Sequence, residues 1–170
     1  KNKGRVAKLE IVIDFFNNQF TASLWGDEAF AAVLAQKNLT QIVKIVSHDT
    51  SPPLYYFCLH LWMQVFGSGE VAIRSLSFLL FLGTVIFTFF LAQYLWGRKT
   101  ALIAAFLTLS NPFLFAYSFE GRMYTILALT TTASFYFFLT KNWPFYILAT
   151  TAALYSHHFS IFAIFLQFLW

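Results

Sequence analysis

Apolar residues run almost unbroken from Val71 to Trp96, and the only charge in that stretch is Arg74, near its start. As a helix rising 1.5 Å per residue the run would extend roughly 35–40 Å, enough to cross a bilayer with some tilt. Three more apolar stretches follow, at about 101–118, 122–140 and 144–170, so the pattern predicts four spans. The last carries His157 and His158 in its middle and reads either as one long helix or as two helices broken at that pair. Ahead of the first span, "LYYFCLHLWMQVF" (Leu54–Phe66) has the look of an aromatic helix too short to cross. Pro52 and Pro53 suit its first turn, and "GSGE" ends it.

Upstream the polarity is mixed. "DEAFAAVLAQ" predicts a short helix with its acids at the N-terminus, where the helix dipole favours them. "LTQIVKIV" puts Leu39, Ile42, Val43 and Val46 at helical spacing and predicts an amphipathic helix lying along the membrane surface. Residues 1–20 are ambiguous, because "VAKLEIVIDFF" reads as a strand by alternation or as an amphipathic helix. Lys8, Glu10 and Asp14 make this flank a poor spanning segment. The expected organisation is thus an N-terminal flank (1–20), then one transmembrane domain (21–170) with an external loop at 21–70. The chain stops inside "FSIFAIFLQFLW", and is expected to be a piece of a longer polytopic protein.

Composition strengthens the membrane reading. Of 170 residues, 59% are hydrophobic and 11% charged, against roughly a quarter charged in soluble domains. The fold class expected is therefore all-α and integral to a membrane, multi-pass, with short juxtamembrane helices. Lys1, Lys3, Arg5 and Lys8 supply most of the net charge of +4 and read as a headgroup-facing flank, not as a nucleic-acid surface. Cys58 has no partner in the sequence and reads as inert packing.

Counting spans gives a sharper expectation than charge does. With 27–53 outside, alternate crossings return "SFEGRMY" (Ser118–Tyr124) and the histidine pair to the same side. Asp27, Glu28, His48, Asp49, Glu120, Arg122, His157 and His158 can then gather on one face. Taken singly, each has a plain structural explanation: Asp27 and Glu28 as helix-capping acids, His48 and Asp49 as turn caps, Glu120 and Arg122 as a solvated pair. Histidines at membrane depth more often line a path or cavity. His157 or His158 with an acidic partner is a candidate metal site, although no HExxH-type spacing supports it.

"SLWGDEAF", the run "HDTSPPLYYFCLHLWMQVFGSGEVAIRSLS" and "NPFLFAYSFEGRMY" together resemble the membrane glycosyltransferases of the GT-C class. The likeness is nearest to the protein O-mannosyltransferase and aminoarabinose-transferase-like branch and covers about residues 24–165. It implies an enzyme that moves a sugar, with inversion, from a polyprenyl-phosphate carrier to a protein, glycan or lipid acceptor on the external side of a membrane. A prokaryotic inner membrane is the expected location. The resemblance implies that Asp27, with Glu28 beside it, is the base toward the acceptor. It implies that Glu120, Arg122 and Tyr124 lie near the donor phosphate, with His48 and Asp49 as further binding residues. His48 stands four residues before Pro52, whereas relatives place a histidine directly before the proline pair.

The chemistry stands without the resemblance. A lipid-linked sugar is polar at one end and apolar along its length, so its site needs charges at the lip of apolar helices. A carboxylate can deprotonate a hydroxyl, and an arginine can hold a phosphate leaving group by paired hydrogen bonds. Inverting displacement requires those two groups on opposite sides of the sugar. The alternative from another class is a secondary transporter with an intramembrane Glu/Arg/His path, which would show paired halves with broken helices.

Overall fold

A computed structural model describes residues 2–49 and 51–170, with side chains from Glu10 onward. The basic cluster Lys1, Lys3, Arg5 and Lys8 lies outside the described side chains. Among the described residues the chain is helical without strands: α1 (Asn2–Thr21), α2 (Gly26–Ala35), α3 (Leu39–Val46), α4 (Leu54–Phe66), α5 (Glu70–Trp96), α6 (Arg98–Leu109), α7 (Pro112–Tyr117), α8 (Tyr124–Leu139), α9 (Trp143–Ser156) and α10 (Ser160–Leu169). The ambiguous flank is thus helical, not a strand.

The expected long helix is α5, and among the described residues it alone is long and apolar enough to cross a membrane, with mean hydropathy 2.2. Only 28% of its apolar window is buried, the opposite of a core helix in a soluble protein. One stretch expected to be continuous is interrupted, and another, readable as one helix or as two, is broken. The 101–118 stretch divides into α6 and α7, because the Asn111 side chain accepts hydrogen bonds from the Phe113 and Leu114 amides at 3.0 Å, and Pro112 then opens a new first turn. The 144–170 stretch breaks at His157, whose backbone is extended and whose Nδ1 accepts from the Phe159 amide at 3.1 Å.

α5 packs against α6 and α8, and α8 against α9. The turn between α5 and α6 needs Gly97, whose φ of 83° strains a residue bearing a Cβ. Opposite that turn, the Tyr94 hydroxyl donates to the Leu139 carbonyl at 3.0 Å, so the α5–α6 and α8–α9 turns share one end of the sheaf. Polar side chains set the seat of α10 on the other helices. Gln167 donates to Ser134 Oγ at 2.9 Å, Tyr146 donates to Gln167 at 3.1 Å, and the Ser134 and Thr150 hydroxyls meet at 2.7 Å. Such bonds hold apolar helices together where burial of grease gives no preference between partners.

α2, α3 and α4 form a cap on the opposite end. α3 turns Ile42 and Val46 inward and leaves Leu39 and Val43 exposed. The core lies beneath this cap, where Leu34, Ile42, Tyr55 and Leu59 meet Ile73, Leu76, Met123 and Ile126. Directed bonds lock it: His60 Nδ1 donates to the Ala35 carbonyl at 2.7 Å, the Tyr55 and Ser77 hydroxyls meet at 3.1 Å, and Trp62 donates to the Ala72 carbonyl at 2.8 Å. The cap is therefore a rigid base for the loops that converge there.

Candidate active site

Asp27 and Glu28 occupy the first turn of α2. Neighbours on a helix point about 100° apart, so one faces outward when the other faces the core. The Asp27 side chain is 52% exposed and accepts a hydrogen bond of 2.5 Å from Arg122 Nη1, across 95 residues of sequence. Glu28 is wholly buried. Its Oε2 takes a bond from Arg74 Nη2 at 2.7 Å, and its Oε1 takes bonds from Arg74 Nε at 3.1 Å and the Gly121 amide at 2.7 Å.

Arg74 continues the clasp on the other side. Its Nη1 donates to the carbonyls of Gln19, Phe20 and Ala22, the last at 2.6 Å, and its Nη2 to that of Ser23. One guanidinium thus ties the end of α1 and the approach to α2 onto α5. Through Glu28 it also ties in the 118–123 loop. Asp27 is adjacent to Glu28 and Arg122 to Gly121, so this node fixes where the outward pair meets.

Gly121 is required there because a Cβ would sit 2.5 Å from Ile73 Cγ2. Ile73 is fully buried and cannot step aside. Gly121→Ala is expected to cost about 1–3 kcal/mol through overpacking. Thermal unfolding in detergent checks this, and the cost should shrink in the Ile73→Ala background, which lacks that methyl.

Aromatic rings hold the Arg122 guanidinium. It lies 5.8 Å from the Trp25 ring and 5.1 Å from the Tyr124 ring, and Tyr124 in turn packs on Tyr117 at 4.5 Å. His157 lies 6.4 Å beyond Tyr124. A polar chamber of about 210 Å³ opens beside the pair, lined by Asp27, Asp49, Ser51, Tyr56 and Arg122 among others. Glu120 sits on the far side, lining two further spaces with Ala116. Burial, and then the Glu28 carboxylate, push the Glu120 carboxyl above the usual range, while the Arg122 guanidinium pulls it the other way.

The fold therefore brings together Asp27, Asp49, Arg122 and Tyr124, with Glu120 and His157 at the edges. It does not bring His48, whose Nδ1 donates to the Lys44 carbonyl at 2.9 Å and which lines none of these spaces. The His157 and His158 rings lie 6.4 Å apart, and among the described residues no third His, Cys, Asp or Glu joins them in a cluster that could hold a metal ion. Arg74 and Gly121 escaped the sequence reading. The available signal was a charge placed one turn inside an apolar helix, which demands a buried partner.

Residues 50–170 match the family model described as dolichyl-phosphate-mannose-protein mannosyltransferase. The chain belongs to that family. Membership supports the wider GT-C resemblance, and it agrees with the membrane helix α5. Arg74, Gly121 and Arg122 lie in the matched region, and Asp27 and Glu28 precede it. A protein of Aquifex aeolicus (strain VF5), described as uncharacterized, is 28% identical over 111 residues, covering 62% of this chain and 22% of that protein. The match thus spans about a fifth of that relative's length. No solved structure matches the chain.

Proposed function

We propose that this chain carries the acid-and-arginine end of a multi-pass GT-C transferase in a prokaryotic inner membrane, moving mannose or a related sugar from a polyprenyl-phosphate carrier. The observation that carries the proposal is the Asp27–Arg122 pair, a base and an anion holder joined at the lip of apolar helices. Asp27 removes the proton of an acceptor hydroxyl as that oxygen attacks the anomeric carbon. The bond from that carbon to the phosphate oxygen breaks, and polyprenyl phosphate leaves with the electron pair. Arg122 receives it through charge-assisted hydrogen bonds. The proton passes from Asp27 to water, and the sugar is inverted at its new bond.

In the structure the two side chains touch, leaving no space for a sugar between them. The donor phosphate accordingly replaces Asp27 as the partner of Arg122. Exchange of one anion for another keeps the guanidinium paired, while the released carboxylate turns to the acceptor. Beside the phosphate, the Glu120 carboxyl, pushed up by burial and then by the Glu28 carboxylate, resists ionisation more than an ordinary glutamate. Glu28 acts here as a positioning residue and not as a second base, because its oxygens are engaged by Arg74 and Gly121. Nothing observed favours the transporter alternative.

The family description gives its members a protein acceptor, although the chemistry at Asp27 asks only for a hydroxyl. A transfer assay on the full-length protein in membranes, with a panel of polyprenyl-phosphate sugars, tests the reading and identifies the sugar. Absence of transfer from every donor overturns it. Arg122→Ala is expected to raise the donor KM about 10- to 100-fold, the loss of a hydrogen bond to a charged group. Steady-state kinetics with the donor varied checks this, and acceptor KM should move far less.

A further inference from the structure

The charges after Glu70 divide between the two ends of the helices. From Val71 to Trp170 the sequence has five cations and a single acid, Glu120. Arg74 and Arg122 pair with carboxylates at the end that carries Asp27. The other three, Arg98, Lys99 and Lys141, lie at the α5–α6 and α8–α9 turns. The Tyr94 hydroxyl ties those turns together through the Leu139 carbonyl at 3.0 Å. All three cations are exposed, and among the described residues no carboxylate pairs with them.

Each of these charges sits where the fold gains little from it. Arg98 and Lys99 form the first turn of α6, which opens on Gly97 with no side chain capping its amides. A helix N-terminus carries partial positive charge and disfavours cations, whereas its unpaired amides favour an anion. Lys141 is costly for its backbone, because its φ of 55° is left-handed. Its amide bonds back to the Phe138 carbonyl at 3.1 Å, and the Asn142 amide to that of Phe137 at 2.9 Å. This pair of bonds closes a helix most easily on glycine, yet here the closing residue is charged. An anion lying across the two turns would answer all three charges at once.

Aromatic residues show from where that anion comes. Tyr94, Trp96 and Trp143 flank the turns, and each is more than half exposed. Tryptophan and tyrosine exposed at the ends of apolar helices sit at the level of lipid headgroups. We infer that this end binds the phosphate of an anionic glycerophospholipid, held by Arg98, Lys99 and Lys141 together with the first amides of α6. The acyl chains lie against the exposed apolar face that α6 presents beside the cations, where Leu102 and Ile103 stand. Charge selects the headgroup, since a zwitterionic lipid brings its own cation into a cluster with no carboxylate to receive it. Free phosphate brings no chain to the apolar face. The site lies at the opposite end of α5 from Asp27 and is independent of the transferase reading.

The test uses the full-length protein, delipidated in a neutral detergent and titrated with phosphatidylglycerol, the bound lipids being counted by native mass spectrometry. The first phosphatidylglycerol is expected to bind about 100-fold more tightly than phosphatidylcholine, and raised salt to erode that preference. Arg98→Gln, Lys99→Gln and Lys141→Gly are each expected to weaken its binding about fivefold, the equivalent of about 1 kcal/mol. Lys141→Gly also relaxes the backbone, so its thermal midpoint is expected to hold or rise while the lipid is lost. A lysine that only closed the turn would leave lipid affinity unchanged. Equal affinity for phosphatidylcholine overturns the assignment. So does phosphatidylglycerol binding that survives intact when all three substitutions are combined. Displacement of the lipid by inorganic phosphate overturns it in favour of a soluble anion.

Discussion

Asp27→Asn is expected to lower sugar transfer by a hundredfold or more while the protein remains inserted and folded. Two magnitudes separate the roles this carboxylate can have. As a structural group it makes one ion pair that is half open to solvent, and exposed pairs contribute roughly 0.2–1 kcal/mol. Its place in the first turn of α2 adds about 0.3–1 kcal/mol through the helix dipole. Neither loss unfolds a protein or explains a large fall in rate. A general base, in contrast, contributes on the order of 10²–10⁴ in rate. Asparagine keeps the shape and can still accept a bond from Arg122, so the substitution removes basicity and little else. Single-turnover transfer with saturating donor, beside a thermal unfolding curve, checks both halves. Near-normal turnover would reduce Asp27 to a capping residue and leave Asp49 as the acid to examine.

The sequence made the site legible through the count of crossings. α5 was readable because 27 residues whose two charges, Glu70 and Arg74, both lie near its start leave no other option in lipid. Each later turn of the chain was then expected to alternate ends, an expectation that put Asp27 and Arg122 on one face although 95 residues separate them; in the structure the two side chains pair. The breaks were less legible. Hydropathy does not distinguish α6–α7 from one helix, since Asn111 acts by capping two particular amides and not by polarity. The division of labour between Asp27 and Glu28 was hidden for a geometric reason. Adjacent acids look equivalent in sequence, and only packing against α5 determines which one turns inward. His48 was a candidate through its neighbours, but its ring is consumed locally by the end of α3.

Arg74 carries the largest expected effect on folding. Arg74→Met keeps a long flexible side chain in place and removes every donor at once. The Glu28 carboxylate would keep only the Gly121 amide, and four carbonyls from Gln19 to Ser23 would lose their shared partner. Breaking a buried pair from one side typically costs 3–5 kcal/mol, because an unpaired charge is left in a poorly solvated place. Replacing both partners with apolar residues is often nearly neutral, since no charge is stranded. Glu28→Met with Arg74→Met is therefore expected to regain a substantial part of the lost stability, read as the midpoint of thermal unfolding in detergent. Transfer activity is expected to stay low in the double variant. The approach to α2 would still lack its clasp, and Asp27 would no longer be held against Arg122. A double variant that is both stable and fully active would show that the node supports the fold alone. A stable, active Arg74→Met variant would show that Glu28 does not need its guanidinium partner at all.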